Sequence, residues 1–291
     1  MSESAVRSVT TFSTGSVRIH PQHARGSRWP VLIWLLLSQR WEAPRPIHVF
    51  VVEHEHGLVV FDTGQDPASV SDPSYYPASR FTRIIYRSTA RFEFGPTDSV
   101  PAQFKATGYA PEDVRFVVLS HLHQDHIGGL AAFPKAQFVV AEREWQEMEK
   151  PRAETYGYLP RHTQLPGLEW QKVVFSAPGP TELAPFTAFH DLLGDGSLML
   201  LPTPGHTPGS LSMLVRRADH EPFLLVGDLS YDTKVMRAGR VPGIGDRKEL
   251  AETTQRILQL ADRLTGTVIL PAHDRGTAAR LTAAGGRALS R

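Results

Sequence analysis

"VRFVVLSHLHQDHIGGL", Val114 to Leu130, runs an apolar strand into a loop that carries three histidines and an aspartate within six positions, His121 to His126. In an extended backbone, residues two apart face the same way. His121 and His123 therefore point at one centre, and Asp125 continues the alternation. His126 breaks it where the chain turns toward Gly128 and Gly129. A single strand-end loop can thereby present ligands to two adjacent metal ions, one on each side. Imidazole nitrogen and carboxylate oxygen suit Zn²⁺, Mn²⁺, Fe²⁺ or Co²⁺. A lone H-x-H carries little weight: His54 and His56 form one in "EHEHG" and read as solvent-exposed turn residues. H-x-H-x-D-H at the end of a buried strand is far more specific than four ordinary hydrogen-bonded loop residues would be.

Further ligands are expected at other strand ends, where loops converge on a site held by rigid elements. Three candidates stand there. His206 lies in "TPGHTPGS", Asp228 follows an apolar strand in "LLVGDLSY", and His273 does the same in "VILPAHD". Each alone reads equally well as a turn or capping residue. Together with the first loop they repeat one pattern: buried strand, then His or Asp.

Around these segments the chain has 291 residues, of which 41% are hydrophobic, enough for one large α/β domain with a substantial core. Lys plus Arg is 31 against 30 for Asp plus Glu, so the basic footprint of a nucleic-acid binder is missing. The absence of cysteine excludes disulfides and thiolate metal sites and fits a reducing compartment. The polar start "MSESAVRSVTTFSTGSVRIH" has no apolar signal core. "WPVLIWLLLS" (Trp29–Ser38) is about half the ~20 residues a membrane span needs and reads as a buried strand or helix. The expectation is a soluble cytoplasmic protein with no membrane partner.

"IHVFVVEHEHGLVVFDTG" reads as two strands around a tight turn. "QFVVAEREWQEMEK" reads as a strand and then a helix, with Glu142 and Glu144 in its first turn. "GSLMLLPTPGHTPGSLSMLVRRADHEPFLLVGDLSYD" holds three short strands. "DRKELAETTQRILQLADRL" has apolar residues at helical spacing: Leu250, Ile257, Leu258, Leu260, Ala261 and Leu264. The least regular part, about 66–111, is rich in Pro, Tyr, Phe and Arg and reads as a site-covering insertion. A single domain over 1–291 with an N-terminal extension of about 1–45 is the economical organisation.

"SHLHQDHIGG", "GHTPGS", "GDLSY" and "PAHD", in that order, resemble the motifs of metallo-β-lactamase-fold hydrolases, with "VVFDTG" similar to that superfamily's early strand and turn. The resemblance runs from about Ile47 to the C-terminus. It implies a four-layer αβ/βα sandwich and a dinuclear site: His121, His123 and His206 on one metal, Asp125, His126 and His273 on the other, and Asp228 bridging both. Zinc is the first choice for both ions, with Co²⁺, Mn²⁺ or Fe²⁺ as alternatives. Tyr231, three positions after Asp228, is placed like the tyrosine of the N-acyl-homoserine lactone lactonases that projects over the metals. The resemblance therefore implies a quorum-quenching lactonase whose paired cations activate a water against the lactone carbonyl, with Tyr231 donating to the developing oxyanion and Asp125 moving the proton to the leaving oxygen. The bland reading of Tyr231 is a partly buried tyrosine bonded to some carbonyl.

A small-molecule lactone bearing an acyl chain would need an apolar groove. Trp29, Trp34, Phe92, Phe94, Tyr75 and Tyr76 can supply it or belong to the core, and Arg80, Arg83 and Arg87 read as a solvated face. Asp62 either orients a ligand histidine or caps its own turn. A glyoxalase-II-like thioesterase and an ester or β-lactam hydrolase use the same ligands. A mononuclear iron dioxygenase or a metal-stabilised scaffold is distinguished by metal stoichiometry and activity. A homodimer stays open.

Overall fold

Alternation of burial along paired strands sets the architecture. The computed structural model describes residues 4–77, 79–178, 181–218 and 220–289. Its strands are β1 Val6–Ile19, β2 Arg45–His54, β3 Gly57–Phe61, β4 Ala90–Glu93, β5 Val114–Val118, β6 Gln137–Ala141, β7 Glu169–Val173, β8 Ala177–Pro178, β9 Ala188–Asp191, β10 Leu198–Pro202, β11 Leu211–Val215, β12 Phe223–Leu225, β13 Val268–Leu270 and β14 Arg287–Ala288. The helices are α1 Pro21–Arg25, α2 Val31–Leu37, α3 Ala68–Ser71, α4 Arg80–Thr89, α5 Val100–Thr107, α6 Gln124–Ile127, α7 Glu142–Met148, α8 Pro160–Thr163, α9 Thr233–Arg237, α10 Arg247–Arg263 and α11 Thr277–Ala283.

Two sheets form. One runs β14-β1-β2-β3-β5-β6-β7, with β4 paired to β1; the other runs β13-β12-β11-β10-β9-β8. Phe50, Val52, Val59 and Phe61 of the first sheet share a core with Leu198, Leu200, Met213 and Leu225 of the second. Their neighbours along the strands, Val49, Val51, Leu58 and Val60, point the other way and pack with Val100 and Phe104 of α5 and Trp145 and Met148 of α7. Met199 and Leu201 likewise face Leu250, Ile257 and Leu260 of α10. Both faces of both sheets are covered, which is why these strands read as continuous apolar runs. The result is the four-layer αβ/βα sandwich. Parallel pairing of β3, β5 and β6 and of β12 and β13 sends their C-terminal ends to one edge, the usual place for a site in an α/β sheet.

In α10, Asp246 caps the first turn by accepting from the backbone N–H groups of Lys248 and Glu249. Leu250, Ile257, Leu260 and Ala261 are buried, and Leu258 and Leu264 pack at the margin. β1, drawn from the polar N-terminal segment, lies inside the first sheet between β14 and β2. The stretch 66–111 is more regular than its composition suggests, with α3, α4, β4 and α5.

Two expectations fail. Val31–Leu37 of the run Trp29–Ser38 forms α2, but the run is not buried: Trp29, Leu32 and Leu37 are 68%, 65% and 74% exposed, and only Trp34 is fully buried among the described side chains. Hydropathy reports a wish for burial, not the presence of a partner surface. His54 is not solvent-exposed either. Its Nε2 lies 2.9 Å from Asp195 Oδ2 and 3.1 Å from Ser197 Oγ, and its Nδ1 accepts from the backbone N–H of His56. Asp195 sits between β9 and β10, so His54 ties the β2–β3 turn to the second sheet. His56 remains exposed. No helix among the described residues is long and apolar enough to cross a membrane.

Candidate metal centre

Four strand ends meet at the edge between the sheets. β5 delivers His121 and His123; β10 leads to His206; β12 leads to Asp228; β13 leads to His273. Asp125 does not continue the extended backbone as expected, whereas His126 leaves it as the sequence reading had it. His123 is the residue preceding α6, and both ligand candidates lie in that single helical turn. Helical geometry, not strand alternation, turns them to the far side. The turn is held by the loop after β3: the backbone N–H and hydroxyl of Thr63 both donate to His126 O, at 2.7 and 2.8 Å. Gly128 is required here, because a Cβ would lie 2.0 Å from the backbone nitrogen of Asp66.

Ligand atoms of three groups lie within 4.8 Å of one another: His121, His123 and His206; His121, His126 and Asp228; and Asp125, His126 and His273. Asp228 divides its oxygens between them. Oδ2 is 3.5 Å from His206 Nε2, while Oδ1 is 3.4 Å from His126 Nε2 and 3.2 Å from His273 Nε2. Asp125 Oδ2 is 3.3 Å from His273 Nε2, and His206 Nε2 is 3.0 Å from His123 Nδ1.

The outer hydrogen bonds set which nitrogen faces inward. His126 Nδ1 donates to Asp62 Oδ2 at 2.8 Å, His273 Nδ1 to Pro46 O at 2.9 Å, and His123 Nε2 to Tyr156 O at 3.0 Å. The Ser120 hydroxyl donates to Asp62 Oδ2, so it accepts from His121 Nδ1 at 3.0 Å. Each of these four rings thus turns a lone pair to the centre, as metal-binding histidines do. His121 Nε2, His126 Nε2, His273 Nε2 and Asp228 Oδ1 are buried there with no hydrogen-bond partner, an arrangement that is costly unless something pairs with them.

The electrostatics agree. Burial works against charge on His273, but Asp228 and Asp125 raise it to about 10. Burial would raise Asp125, yet His273 and His126 hold it at about 2. Burial and the neighbouring imidazoles of His126 and His123 keep His121 well below its ordinary value. The carboxylates therefore demand positive charge between them, and nitrogen and oxygen donors of this kind fit divalent cations.

Tyr231 packs flat against His273, with ring centroids 5.5 Å apart and planes at 12°. Its hydroxyl donates to Asp228 Oδ2 at 2.7 Å. Of the two roles left open by sequence, Asp62 takes the one that orients a histidine, and it also accepts from the backbone N–H of Ser120, on the loop after β5, at 2.7 Å.

Three supporting residues were not legible as such. Glu144 is fully buried and accepts from Leu122 N at 2.9 Å, Thr207 Oγ1 at 2.7 Å and Gly209 N at 3.1 Å. One carboxylate thus ties the His121–His123 loop to the His206 loop. Burial pushes it up to about 7 against those bonds. Its position one turn before the buried Met148 was the only local sign. Arg45, paired with Glu42, donates to the carbonyls of Tyr231 and His273. His23 of α1 lies 3.0 Å from the Tyr231 hydroxyl across 208 residues of chain. Among the expected groove residues, Trp34 and Tyr75 are buried, Phe92 packs at the edge of the cluster that holds Tyr231, and Phe94 and Tyr76 are half-buried. Trp29 is exposed. Arg83 donates to Pro77 O at 2.8 Å and Arg87 is exposed; the Arg80 side chain lies outside the described residues.

With this fold and site, the chain belongs to the metallo-β-lactamase superfamily, whose model matches residues 43–273. It is 31% identical over 231 residues to the N-acyl homoserine lactonase AttM of Azorhizobium caulinodans, spanning 79% of this chain and 82% of that one. It is 28% identical over 230 residues to the N-acyl homoserine lactonase AiiA of Bacillus thuringiensis subsp. kurstaki, spanning 79% and 81%. An N-acyl homoserine lactone hydrolase solved with N-hexanoyl-L-homoserine at its catalytic metal centre superposes with a TM-score of 0.73 at 20% identity, covering 93% of this chain and 94% of that one. The dizinc quorum-quenching lactonase AidC superposes at 0.60 and 16% identity, covering 94% and 91%. Those two likenesses bear on the fold.

Proposed function

We propose that the protein is a dinuclear metal-dependent hydrolase that opens the ring of N-acyl-homoserine lactones. The observation that carries the reading is the divided Asp228 carboxylate, with one oxygen toward His206 and the other toward His126 and His273. His121, His123 and His206 would hold one cation, Asp125, His126 and His273 the second, and Asp228 both. Zinc suits this nitrogen-rich set best, and Co²⁺, Mn²⁺ and Fe²⁺ can enter it. Such a pair supplies Lewis acidity and a water activated at neutral pH.

The chain's own groups do the rest. Tyr231 donates its hydroxyl proton in a hydrogen bond to the carbonyl oxygen as charge develops there, a contribution of ~3 kcal/mol. Asp125, the most open of the acidic ligands at 14% side-chain exposure, takes the proton of the attacking water and passes it to the ring oxygen that leaves. Phe92, half-buried at the edge of the cluster that holds Tyr231, would wall the acyl chain. A cytoplasmic location rests on the cysteine-free composition.

The test is a substrate panel followed by acid release: N-acyl-homoserine lactones, a glutathione thioester, a β-lactam and a phosphotriester. The lactones are expected to be hydrolysed fastest by kcat/KM. Faster turnover of the thioester or β-lactam would overturn the reading.

A further inference from the structure

His23 lies outside the metal site, yet its ring meets the hydroxyl that the reaction needs. The Nε2–Oη distance to Tyr231 is 3.0 Å, with ring centroids 5.0 Å apart at 76°. The direction of the bond follows from its neighbours. Tyr231 has one hydroxyl proton, and that proton goes to Asp228 Oδ2 at 2.7 Å. The phenol oxygen can then only accept, so His23 donates from Nε2–H and its Nδ1 carries the lone pair. That Nδ1 is buried with no hydrogen-bond partner. Burial pushes His23 down to about 4, so the ring is neutral near pH 7. It therefore offers an N–H dipole to the phenol without adding a charge beside the cations.

We propose that His23 is a positioning residue for Tyr231, aiming its hydroxyl and strengthening it as a donor. This rests on the lactonase reading. A hydroxyl whose oxygen already accepts a hydrogen bond is a stronger donor through its proton, because bonds in a chain polarise one another. When the Tyr231 proton turns from Asp228 to a substrate carbonyl, His23 would be the contact that keeps the hydroxyl over the site.

The frame around His23 fits a fixed post. α1 begins with Pro21, and His20 before it is held between the carbonyls of Arg40 and Ser88 at 2.7 and 2.9 Å. Trp34 of α2 packs on both rings, with centroids 5.9 Å from His20 and 6.3 Å from His23. Val17, Ile19, Ala24, Ile47 and Tyr231 close one buried cluster. His23 thus brings the N-terminal segment to the Tyr231 hydroxyl.

The experiment is a double-mutant cycle on the metal-loaded enzyme with N-hexanoyl-homoserine lactone. His23→Phe keeps a ring and deletes the donor; His23→Gln keeps a donor. We expect His23→Phe to lower kcat about tenfold, the worth of one ordinary hydrogen bond, with KM and metal content unchanged. His23→Gln should recover most of the loss. In a Tyr231→Phe background, His23→Phe should cost nothing further. In protein carrying ¹³Cζ-tyrosine, the Tyr231 resonance should move in His23→Phe. Equal losses in both backgrounds, or an unmoved resonance, would overturn the proposal. If wild-type protein hydrolyses no lactone, the lactonase reading fails, while the resonance still reports whether His23 acts on Tyr231. Should His23→Phe not fold, His23→Leu serves the same comparison.

Discussion

His126 gives its outer ring proton to Asp62 across 2.8 Å, and both side chains are 1% exposed. The same carboxylate accepts from the backbone and hydroxyl of Ser120, whose hydroxyl in turn holds His121. One buried aspartate therefore orients rings assigned to both cation positions.

Asp62→Asn tests that relation cleanly. Asp62 has φ 59°, a left-handed conformation that asparagine also tolerates, so the backbone need not move. Metal affinity, measured by chelator competition, should fall about 10- to 100-fold. An unchanged affinity would show that His126 and His121 need no such orientation.

Glu144 predicts a pH dependence of stability in metal-free protein. Its folded value of about 7 lies above the ordinary carboxyl value of 4.5, so the folded state holds the proton more tightly. The stability this contributes is complete below about pH 4.5 and is lost as pH rises through about 7. Glu144→Gln lacks that loss. Its unfolding free energy relative to wild type should therefore rise by roughly 3 kcal/mol from pH 4 to pH 8. A flat difference in urea titrations would contradict the buried, proton-retaining carboxyl.

Two glycines separate close approach from backbone conformation. Gly108 has φ +82° with open space around it, whereas a Cβ on Gly209 would sit 2.1 Å from the Glu144 backbone nitrogen. Gly108→Ala should cost about 1 kcal/mol, and Gly209→Ala at least about 3 kcal/mol. Equal unfolding midpoints would contradict the packing of the His206 loop on α7.

The apolar helix α2 makes a similar contrast. Trp34→Ala should cost about 3–5 kcal/mol, and Trp29→Ala no more than about 0.5 kcal/mol, when unfolding is followed at low protein concentration. Similar losses would mean that Trp29 is covered in solution.

What was legible in the sequence was whatever local spacing could carry. Four strand ends bearing His or Asp were readable because a buried strand announces itself and the ligand comes next. Local spacing could not tell that Asp125 and His126 ride a helical turn, because six residues hold too little pattern to separate the two periods. The remainder depends on distant partners. His54 looked exposed because Asp195 lies 141 residues on; Glu144 looked like a first-turn acid because its donors come from two remote loops; and α2 looked buried because composition does not record which surfaces are available.

Metal content measured together with lactone opening tests the dinuclear site most directly. Elemental analysis of the purified protein should give two divalent ions per chain, and acid release from an N-acyl-homoserine lactone should vanish on chelation, return on adding Zn²⁺, and stay absent in Asp228→Ala. A single tightly held ion with undiminished hydrolysis, or hydrolysis that survives complete stripping, would contradict it.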